Sequence, residues 1–194
     1  LKPFQKPHPP IAVGGVSPRS NTLAFAGERG WIPMSINVVP TQVVKTHWKA
    51  VEKGAAKTGR TPDRREWRVC RDIYVAETTE QARKDALEGV LARDFMNYFL
   101  PLFVDRGLTS LAKVDPDTPD SDIDAEYFMD NIWVVGSPDD VAAQLRQMYE
   151  ELGGFGTLLA IGHEWEPREK WENSMTLLVN EVMPKLADLN GIGP

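Results

Sequence analysis

Short apolar runs alternate with stretches of helical spacing along the first half of the chain. Three apolar runs predict strands over residues 11–15, 31–39 and 67–77. Each run is followed by apolar residues at helical spacing, which predict helices over residues 22–29, 44–55 and 78–98. Thr78 and Gln81 form a capping box at the start of the third helix. The pattern therefore describes three units, each a strand followed by a helix.

The second half of the chain adds one more unit after a long interruption. Residues 101–131 lack a clear period and carry many aspartates, so they predict a long acidic loop inserted between regular elements. Ser137 then caps a helix that has Pro138 at its first position. A buried type of strand over residues 155–161 and a last helix from Pro167 complete the fourth unit.

Four strand–helix units indicate an α/β protein with a parallel sheet. Parallel neighbours need a long crossover between them, and here a helix supplies each crossover. Two arrangements fit this order: the units can be half of a (β/α)8 TIM barrel, or they can form an open four-stranded sheet. Periodicity gives no information on whether the sheet closes, so both arrangements stay open at this point.

Composition and charge narrow the class of function. The chain has 194 residues, of which 42% are hydrophobic, and this suits a single folded domain. A formal net charge of -6 argues against nucleic-acid binding, because such a surface needs clustered lysine and arginine. The sequence shows neither an apolar run long enough for a membrane span nor a signal peptide. The single cysteine, Cys70, excludes a disulfide within the chain, so we expect a cytoplasmic protein.

The acidic loop does not predict a metal site. Asp120, Asp122 and Asp124 stand at alternate positions, as the ligands of a calcium-binding loop do. However, Ala125 occupies the place of the turn glycine and Asn131 that of the bidentate glutamate, so calcium is not expected. The scattered histidines and the single cysteine show no zinc spacing.

Three groups of residues resemble the luciferase-like, flavin-dependent monooxygenases. They are residues 6–15 with 17–20 and 26–30, residues 134–141, and residues 153–159 with 163–165 and 181–184. The resemblance covers nearly the whole chain, and the family forms (β/α)8 barrels. The family's strand that matches residues 11–15 lies in the middle of the barrel. The resemblance therefore implies that residues 1–194 are the C-terminal half of a barrel, and that the missing N-terminal half carries the residues over the reactive face of the flavin.

The loop after the first predicted strand is a candidate anion site. Because it joins a strand to a helix, its free backbone N–H groups and the helix dipole favour an anion. In the family that the chain resembles, the matching loop holds the flavin phosphate, and the candidates for that role here are Gly14, Gly15, Ser17, Arg19, Ser20 and Thr22. A capped helix with no ligand explains the same residues, so both interpretations stay open.

His163 is the candidate catalytic residue. It follows the strand predicted over residues 155–161, which places it at the C-terminal mouth of the barrel, where the chemistry of such barrels gathers. A histidine can transfer a proton there, although one bonded to a neighbouring loop is the alternative. His47 precedes Trp48 on an outer helix and is interpreted as structural. Aromatic residues at helical spacing are expected to wall an apolar substrate pocket, although such residues also fit plain core: Phe95, Tyr98, Phe99 and Phe103. Trp165 is expected to belong to this pocket and, with His163, to line the same cleft as the loop over residues 14–22.

The resemblance implies a monooxygenase that uses reduced FMN and O₂ to transfer one oxygen atom to an organic substrate. A separate flavin reductase is expected to supply the reduced FMN, because no nicotinamide-binding glycine motif follows a strand. Hydrophobic or cyclic ketones and terpene-like molecules are the implied substrates. The alternatives are a deazaflavin-dependent dehydrogenase of the same superfamily and a non-catalytic flavin-binding protein. Half a barrel has unpaired edges, so we expect this chain to be inactive alone and to associate with its missing half or as a homo-oligomer.

Overall fold

The chain folds into a parallel sheet with helices between successive strands. The computed structural model describes residues 2–163 and 166–190. The strands in this part are β1 (Ala12–Gly15), β2 (Ile32–Ser35), β3 (Arg68–Val75), β4 (Val134–Gly136) and β5 (Thr157–Ile161). The α-helices in this part are α1 (Asn21–Arg29), α2 (Thr41–Ala56), α3 (Thr79–Glu88), α4 (Val90–Asp94), α5 (Leu100–Asp105), α6 (Ala125–Asn131), α7 (Pro138–Leu152), α8 (Arg168–Leu177) and α9 (Met183–Lys185). Two π-helical turns, Phe95–Phe99 and Leu178–Val182, follow α4 and α8.

The sheet is organised around the long strand β3. The register of β1 and β2 runs from Ala12 opposite Ile32 to Gly15 opposite Ser35, and β2 in turn pairs with the start of β3. The rest of β3 is shared, because its residues 68–72 pair with β5 and its last three pair with β4. All these pairs are parallel, which confirms the α/β class predicted from the strand–helix order.

The helix ends follow the sequence signals. The side chain of Ser137 caps α7, and Gly153 ends that helix at a φ of 72°, in the left-handed region that favours glycine. The hydroxyl of Thr78 accepts a hydrogen bond from the backbone N–H of Gln81 and so caps α3. The capping predictions for these two helices are therefore confirmed.

Two glycines let α1 and α2 cross at backbone contact. A Cβ atom at Gly27 would lie 2.1 Å from the carbonyl oxygen of Val51, and one at Gly54 would lie 1.7 Å from that of Ala24. Any side chain at either position would push the helices apart, because real Cβ atoms essentially never approach so closely. This close crossing packs α1 against the second half of α2.

Burial differs sharply between the central strand and the edge strand. Residues 69–75 of β3 are all buried, whereas Thr157 and Ala160 of β5 are exposed. Within the described part of the chain, β5 pairs with β3 on one side, and a groove of about 630 Å³ runs along it beside α7 and the last helical segments. The structure thus agrees with the expectation of an unpaired sheet edge at this strand.

Four features of the fold depart from the sequence predictions. Strand β4 is too short for alternation to be recognised, so the pattern does not predict it. The helix predicted over residues 78–98 breaks at Gly89, whose φ of -100° and ψ of -162° are not helical. The region 101–131, predicted as a loop, contains most of α5, all of α6 and short 3-10 turns. The strand predicted over residues 31–39 ends at Ser35, because the chain turns there toward α2.

Candidate active site

The loop between β1 and α1 lies at the carboxyl-terminal end of the sheet. A Cβ atom at Gly15 would lie 2.4 Å from Cγ of Leu23 and 2.8 Å from Oγ of Ser20, so only glycine lets the chain turn so close to the helix. The hydroxyl of Ser20 is buried and accepts a hydrogen bond from the N–H of Leu23, which caps α1. The interpretation of this loop as the cap of a helix is therefore correct for Ser20.

The remaining polar groups of this loop face outward. Ser17, Arg19 and Thr22 are exposed, and the first turn of α1 carries no acidic residue. Arg19 has a φ of 53°, which is uncommon for a residue with a side chain, and its N–H donates to Oγ1 of Thr46 at 2.8 Å. Within residues 2–163 and 166–190, its guanidinium has no hydrogen bond or ion pair. The loop thus offers free cationic and hydroxyl donors at a helix start, which suits an anion.

A buried histidine fixes this loop to α2. His47 is fully buried, its Nε2 lies 3.1 Å from the carbonyl oxygen of Ser17, and its Nδ1 lies 2.9 Å from Oγ of Ser35. Because the carbonyl can only accept, Nε2 carries the proton and Nδ1 accepts from the Ser35 hydroxyl. That hydroxyl in turn accepts from Nε1 of Trp67 at 2.9 Å. His47 is structural, as predicted, and its structural role is to hold the candidate anion loop.

A second polar cluster lies where β2, β3 and β5 end. Asp72 projects from β3 and is buried; its Oδ2 accepts from Nδ2 of Asn37 at 2.6 Å, and its Oδ1 accepts from Nε2 of His163 at 2.9 Å. On the other side of the imidazole, Nδ1 lies 3.6 Å from Oδ2 of Asp94, at the end of α4. His163 is therefore at the strand ends, as predicted, between two carboxylates.

These carboxylates favour the charged form of the imidazole. Burial by itself disfavours that charge, but the hydrogen bond and charge of Asp72, with further help from Asp94, outweigh it and raise the pKa of His163 above 6.5. His47 shows the opposite behaviour, because burial lowers its pKa to about 4. The site therefore combines one histidine beneath the loop that is neutral at neutral pH with one histidine whose pKa is raised by its carboxylate partners.

Sequence reasoning missed the partners of His163. Asp72 interrupts the otherwise apolar end of β3, and a carboxylate in a central strand is unusual enough to have marked it. Asn37 and Asp94 carry no such signal, since both fall in ordinary polar positions after a strand and at a helix end. Only the fold brings these residues to His163.

An aromatic crevice adjoins the polar cluster. It is lined by Asn37, Val38, Asp72, Leu91, Phe95, Phe99, Phe128, Trp133 and His163. Of the predicted pocket residues, Phe99 thus lies beside His163, while Tyr98 is 64% exposed and Phe103 is buried in the core. Trp165 lies outside the described residues. The crevice measures only about 10 Å³, so an organic substrate would have to open it.

The anion loop and the His163 cluster share the same edge of the sheet but are separate in the described contacts. The described lining of the crevice includes no residue of the segment 14–22. The prediction that His163 and Trp165 share one cleft with the loop therefore stays a prediction. The pocket roles of Tyr98 and Phe103 also stay predictions, and their positions do not support them.

Other chemistries find little support in the part of the chain that the structure describes. No group of three or more histidine, cysteine, aspartate or glutamate side chains is arranged there to hold a metal ion. Cys70 is buried, and burial raises the pKa of its thiol, which disfavours the reactive thiolate. No helix among these residues is both long and apolar enough to cross a membrane.

Fold and site define a parallel α/β protein with a polar histidine–carboxylate cluster and an anion-type loop at the strand ends. The luciferase-like monooxygenase family matches residues 1–155, and the chain belongs to that family. The chain is 32% identical over 187 residues to 3,6-diketocamphane 1,6-monooxygenase of Pseudomonas putida, covering 96% of this chain and 49% of that protein. It is 33% identical to limonene 1,2-monooxygenase of Rhodococcus erythropolis, covering 87% of this chain and 41% of that protein.

A solved structure gives the same relationship. The oxygenating constituent of 3,6-diketocamphane monooxygenase from Pseudomonas putida, a type II Baeyer-Villiger monooxygenase in complex with FMN, superposes with a TM-score of 0.82 at 33% identity. The match covers 92% of this chain and 49% of that one. The chain therefore spans about half the length of the relatives it matches.

Proposed function

We propose that this chain is part of a flavin-dependent monooxygenase that uses reduced FMN and O₂ to insert one oxygen atom into an organic substrate. The observation that carries the proposal is the pairing of two features at one sheet edge. One is the loop with the free guanidinium of Arg19, and the other is the His163 cluster beside an aromatic crevice. Ligands of open α/β sheets and barrels bind at this edge. The named monooxygenase relatives support the same activity.

The residues of the loop fit the phosphate of FMN. Ser17, Arg19 and Thr22 are exposed donors at the start of α1, with no acid in its first turn. Gly14 and Gly15 end β1 directly before this loop, and Ser20 supports the loop as the cap of α1. Residues 14–22 would therefore hold the phosphate, while His47 and Thr46 keep the loop in place.

The His163 cluster would supply a proton and a positive charge at the carboxyl-terminal edge of the sheet. Bound FMN in its reduced form supplies the electrons that activate O₂. The imidazolium of His163, held by Asp72 through Nε2, is a proton donor and a positive charge at the same edge. Its longer contact with Asp94 is the one that a ligand would displace first, because the Asp94 side chain is 40% exposed. The aromatic side chains beside it would exclude water and accept an apolar substrate.

The fold proposal is that the five strands belong to the C-terminal half of a (β/α)8 barrel within a longer parent protein. The exposed edge strand β5 and the similarity to half of a longer FMN-bound protein support it. The rest of the parent would then supply the neighbours that β1 and β5 lack within the described residues. A separate flavin reductase, a homo-oligomeric assembly and a cytoplasmic location belong to the same proposal.

The substrates we propose are hydrophobic cyclic ketones and terpene-like molecules, in line with the diketocamphane and limonene monooxygenases among the relatives. A deazaflavin-dependent dehydrogenase and a non-catalytic flavin-binding protein are set aside, because the relatives at 30% identity or above are named monooxygenases.

Isotope incorporation tests this function. The full-length parent is mixed with chemically reduced FMN, a bicyclic ketone or limonene, and ¹⁸O₂, and products are read by mass spectrometry. We expect one labelled oxygen atom per product molecule, and no product from the 194-residue chain alone. Substrate oxidation without consumption of O₂ would instead identify the dehydrogenase, and flavin binding with no product from a broad substrate panel would identify the non-catalytic protein.

A further inference from the structure

Arg71 is a buried cation on the face of β3 opposite Asp72. Neighbouring strand residues point to opposite sides, so Arg71 faces the helices rather than the His163 cluster. Its side chain is almost completely buried; Nη1 donates to the carbonyl oxygen of Cys70 at 2.9 Å, and Nη2 donates to Oγ1 of Thr41 at 3.4 Å. These two bonds use only part of the guanidinium's donors. Among the residues that the structure describes, no carboxylate lies within ion-pair distance of it.

A buried charge without an ion-pair partner lowers the stability of the fold. Removing a charge from water is unfavourable unless a counter-charge and hydrogen bonds compensate. Burial lowers the pKa of Arg71, but only to about 10, so the guanidinium stays protonated at neutral pH. The fold therefore maintains a positive charge here whose compensation is incomplete.

Arg71 is one of the residues that line a cavity of about 260 Å³. Its polar wall is formed by Thr41 and Gln42 at the start of α2, Asn131 at the end of α6, and Gln144 and Gln147 on α7. Amide and hydroxyl groups of this kind can donate hydrogen bonds to an oxyanion, and the volume admits a group of phosphate or carboxylate size with its water.

The N-terminus of α2 reinforces the positive potential of the cavity. This helix is 16 residues long and begins at Thr41 after Pro40, which offers no side-chain cap. The N–H groups of Val43 and Val44 bond to the carbonyl of Pro40, while those of Thr41 and Gln42 have no hydrogen-bond partner in the described residues. Free N–H groups and the positive end of the helix dipole attract an anion at the same point as Arg71.

Two carboxylates also line the cavity and oppose an anion. Asp130 forms an ion pair with Arg83 at 2.8 Å, which offsets its charge. Glu151 accepts a hydrogen bond from Nε2 of Gln147 at 2.8 Å and is exposed. Both lie too far from Arg71 for an ion pair, so they belong to the rim of the cavity, whereas Arg71 is its deepest charge.

We propose that Arg71, with the start of α2 and the amides of α7, forms a binding site for a small oxyanion, such as a phosphate or carboxylate group. The site is separate from the candidate active site, since it lies on the other face of β3. It does not depend on the proposed flavin chemistry.

Calorimetric titration with inorganic phosphate tests the site in the full-length protein that contains this chain, using the wild type, Arg71→Met, Glu151→Gln and Arg19→Gln. Arg71→Met keeps the length of the side chain, and replacement of a buried ion by an apolar residue is tolerated by many folds. We expect it to weaken phosphate binding by about tenfold or more, because it removes a charge-assisted contact. Glu151→Gln should strengthen binding by roughly two- to fivefold, since it removes a like charge from the rim.

Arg19→Gln is the matched control, because it removes the arginine of the candidate flavin loop and leaves Arg71. One phosphate per chain should still bind to it with unchanged affinity. If phosphate binds as tightly to a variant that carries both Arg19→Gln and Arg71→Met as to Arg19→Gln alone, or if Arg19→Gln shows no binding at millimolar concentrations, the proposal is wrong. A large loss of stability in Glu151→Gln without phosphate binding would show that Glu151 is the true partner of Arg71, and this also overturns the proposal.

Discussion

Two histidines near the same edge of the sheet have pKa values shifted in opposite directions. His47 supports the loop after β1; its hydrogen-bond partners are a carbonyl and a hydroxyl, and burial, with a smaller contribution from the charge of Arg71, lowers its pKa. His163 lies after β5 between the carboxylates of Asp72 and Asp94. The same residue type thus has a lowered pKa in one region and a raised pKa in the other, because burial dominates at His47 and neighbouring carboxylates outweigh burial at His163.

The comparison shows how one edge of a sheet can serve two purposes. A neutral histidine fixes geometry without adding charge, so the loop keeps its exposed donors as the main source of potential. His163, whose pKa is raised, places a proton-binding side chain next to the crevice. Rigid support and proton chemistry are therefore assigned to separate residues.

The largest difference between the two regions should appear when each histidine is removed. His47→Ala leaves the Ser17 carbonyl and the Ser35 hydroxyl without their partner and opens a cavity, so we expect the free energy of unfolding to fall by about 2–4 kcal/mol. His163→Ala should cost about 1 kcal/mol, because its site is closer to solvent. Urea denaturation measures both. His8→Ala, at an exposed histidine, is the control and should change little; equal losses for His47 and His163 would contradict the comparison.

The two histidines should also respond to pH with opposite sign. His47 has a folded pKa of about 4 against an ordinary value of 6.5, so its contribution is present above pH 6.5 and is lost as the pH falls toward 4. This pKa shift can change the free energy of unfolding by about 3 kcal/mol between high and low pH. His163 has a raised folded pKa, so its contribution is present below pH 6.5 and is lost as the pH rises through that raised value.

Unfolding free energies measured from pH 4 to 9 check these signs. The difference between wild type and His47→Gln should shrink on acidification, and that between wild type and His163→Gln should shrink on alkalinisation. Two differences that change in the same direction would show that the histidines are not held in opposite states.

A smaller effect should separate the two carboxylates of His163. Asp72→Asn keeps the shape of the side chain but removes the charge that bonds Nε2, so the pKa of His163 should fall. Asp94→Asn should lower it less, because the contact to Nδ1 is 3.6 Å and the Asp94 side chain is partly exposed. Proton NMR titration of the imidazole reads the pKa directly. If Asp94→Asn lowers the pKa of His163 more than Asp72→Asn does, then Asp94 is the main cause of the raised pKa and this account is wrong.

The sequence was sufficient for elements that depend on local signals. The predicted strands and the caps at Thr78 and Ser137 are present, because apolar runs and capping residues act within a few positions of the chain. The sequence predicts only part of the His163 cluster. His163 follows a strand and was predicted, but its partners come from β2, β3 and α4, which are distant in sequence. Pairings of this kind are decided by the register of the sheet rather than by local pattern.

The aromatic residues show the same limit from another direction. One shared pocket is predicted for three aromatic residues that are close in sequence, yet the structure separates them. Phe99 lines the crevice, Tyr98 is exposed to solvent, and Phe103 is buried in the core. The π-helical turn Phe95–Phe99 shifts the angular spacing of side chains at this point, and helical periodicity does not anticipate it.

The most direct test of the account compares FMN with riboflavin, which lacks the phosphate, in the full-length protein that contains this chain. Flavin fluorescence titrations give both dissociation constants for the wild type and for Arg19→Gln. If residues 14–22 hold the phosphate, FMN should bind the wild type at least about tenfold more tightly than riboflavin, and Arg19→Gln should remove most of that advantage while riboflavin affinity stays the same. Equal affinities of FMN and riboflavin for the wild type, or an FMN preference that Arg19→Gln leaves intact, would contradict the account.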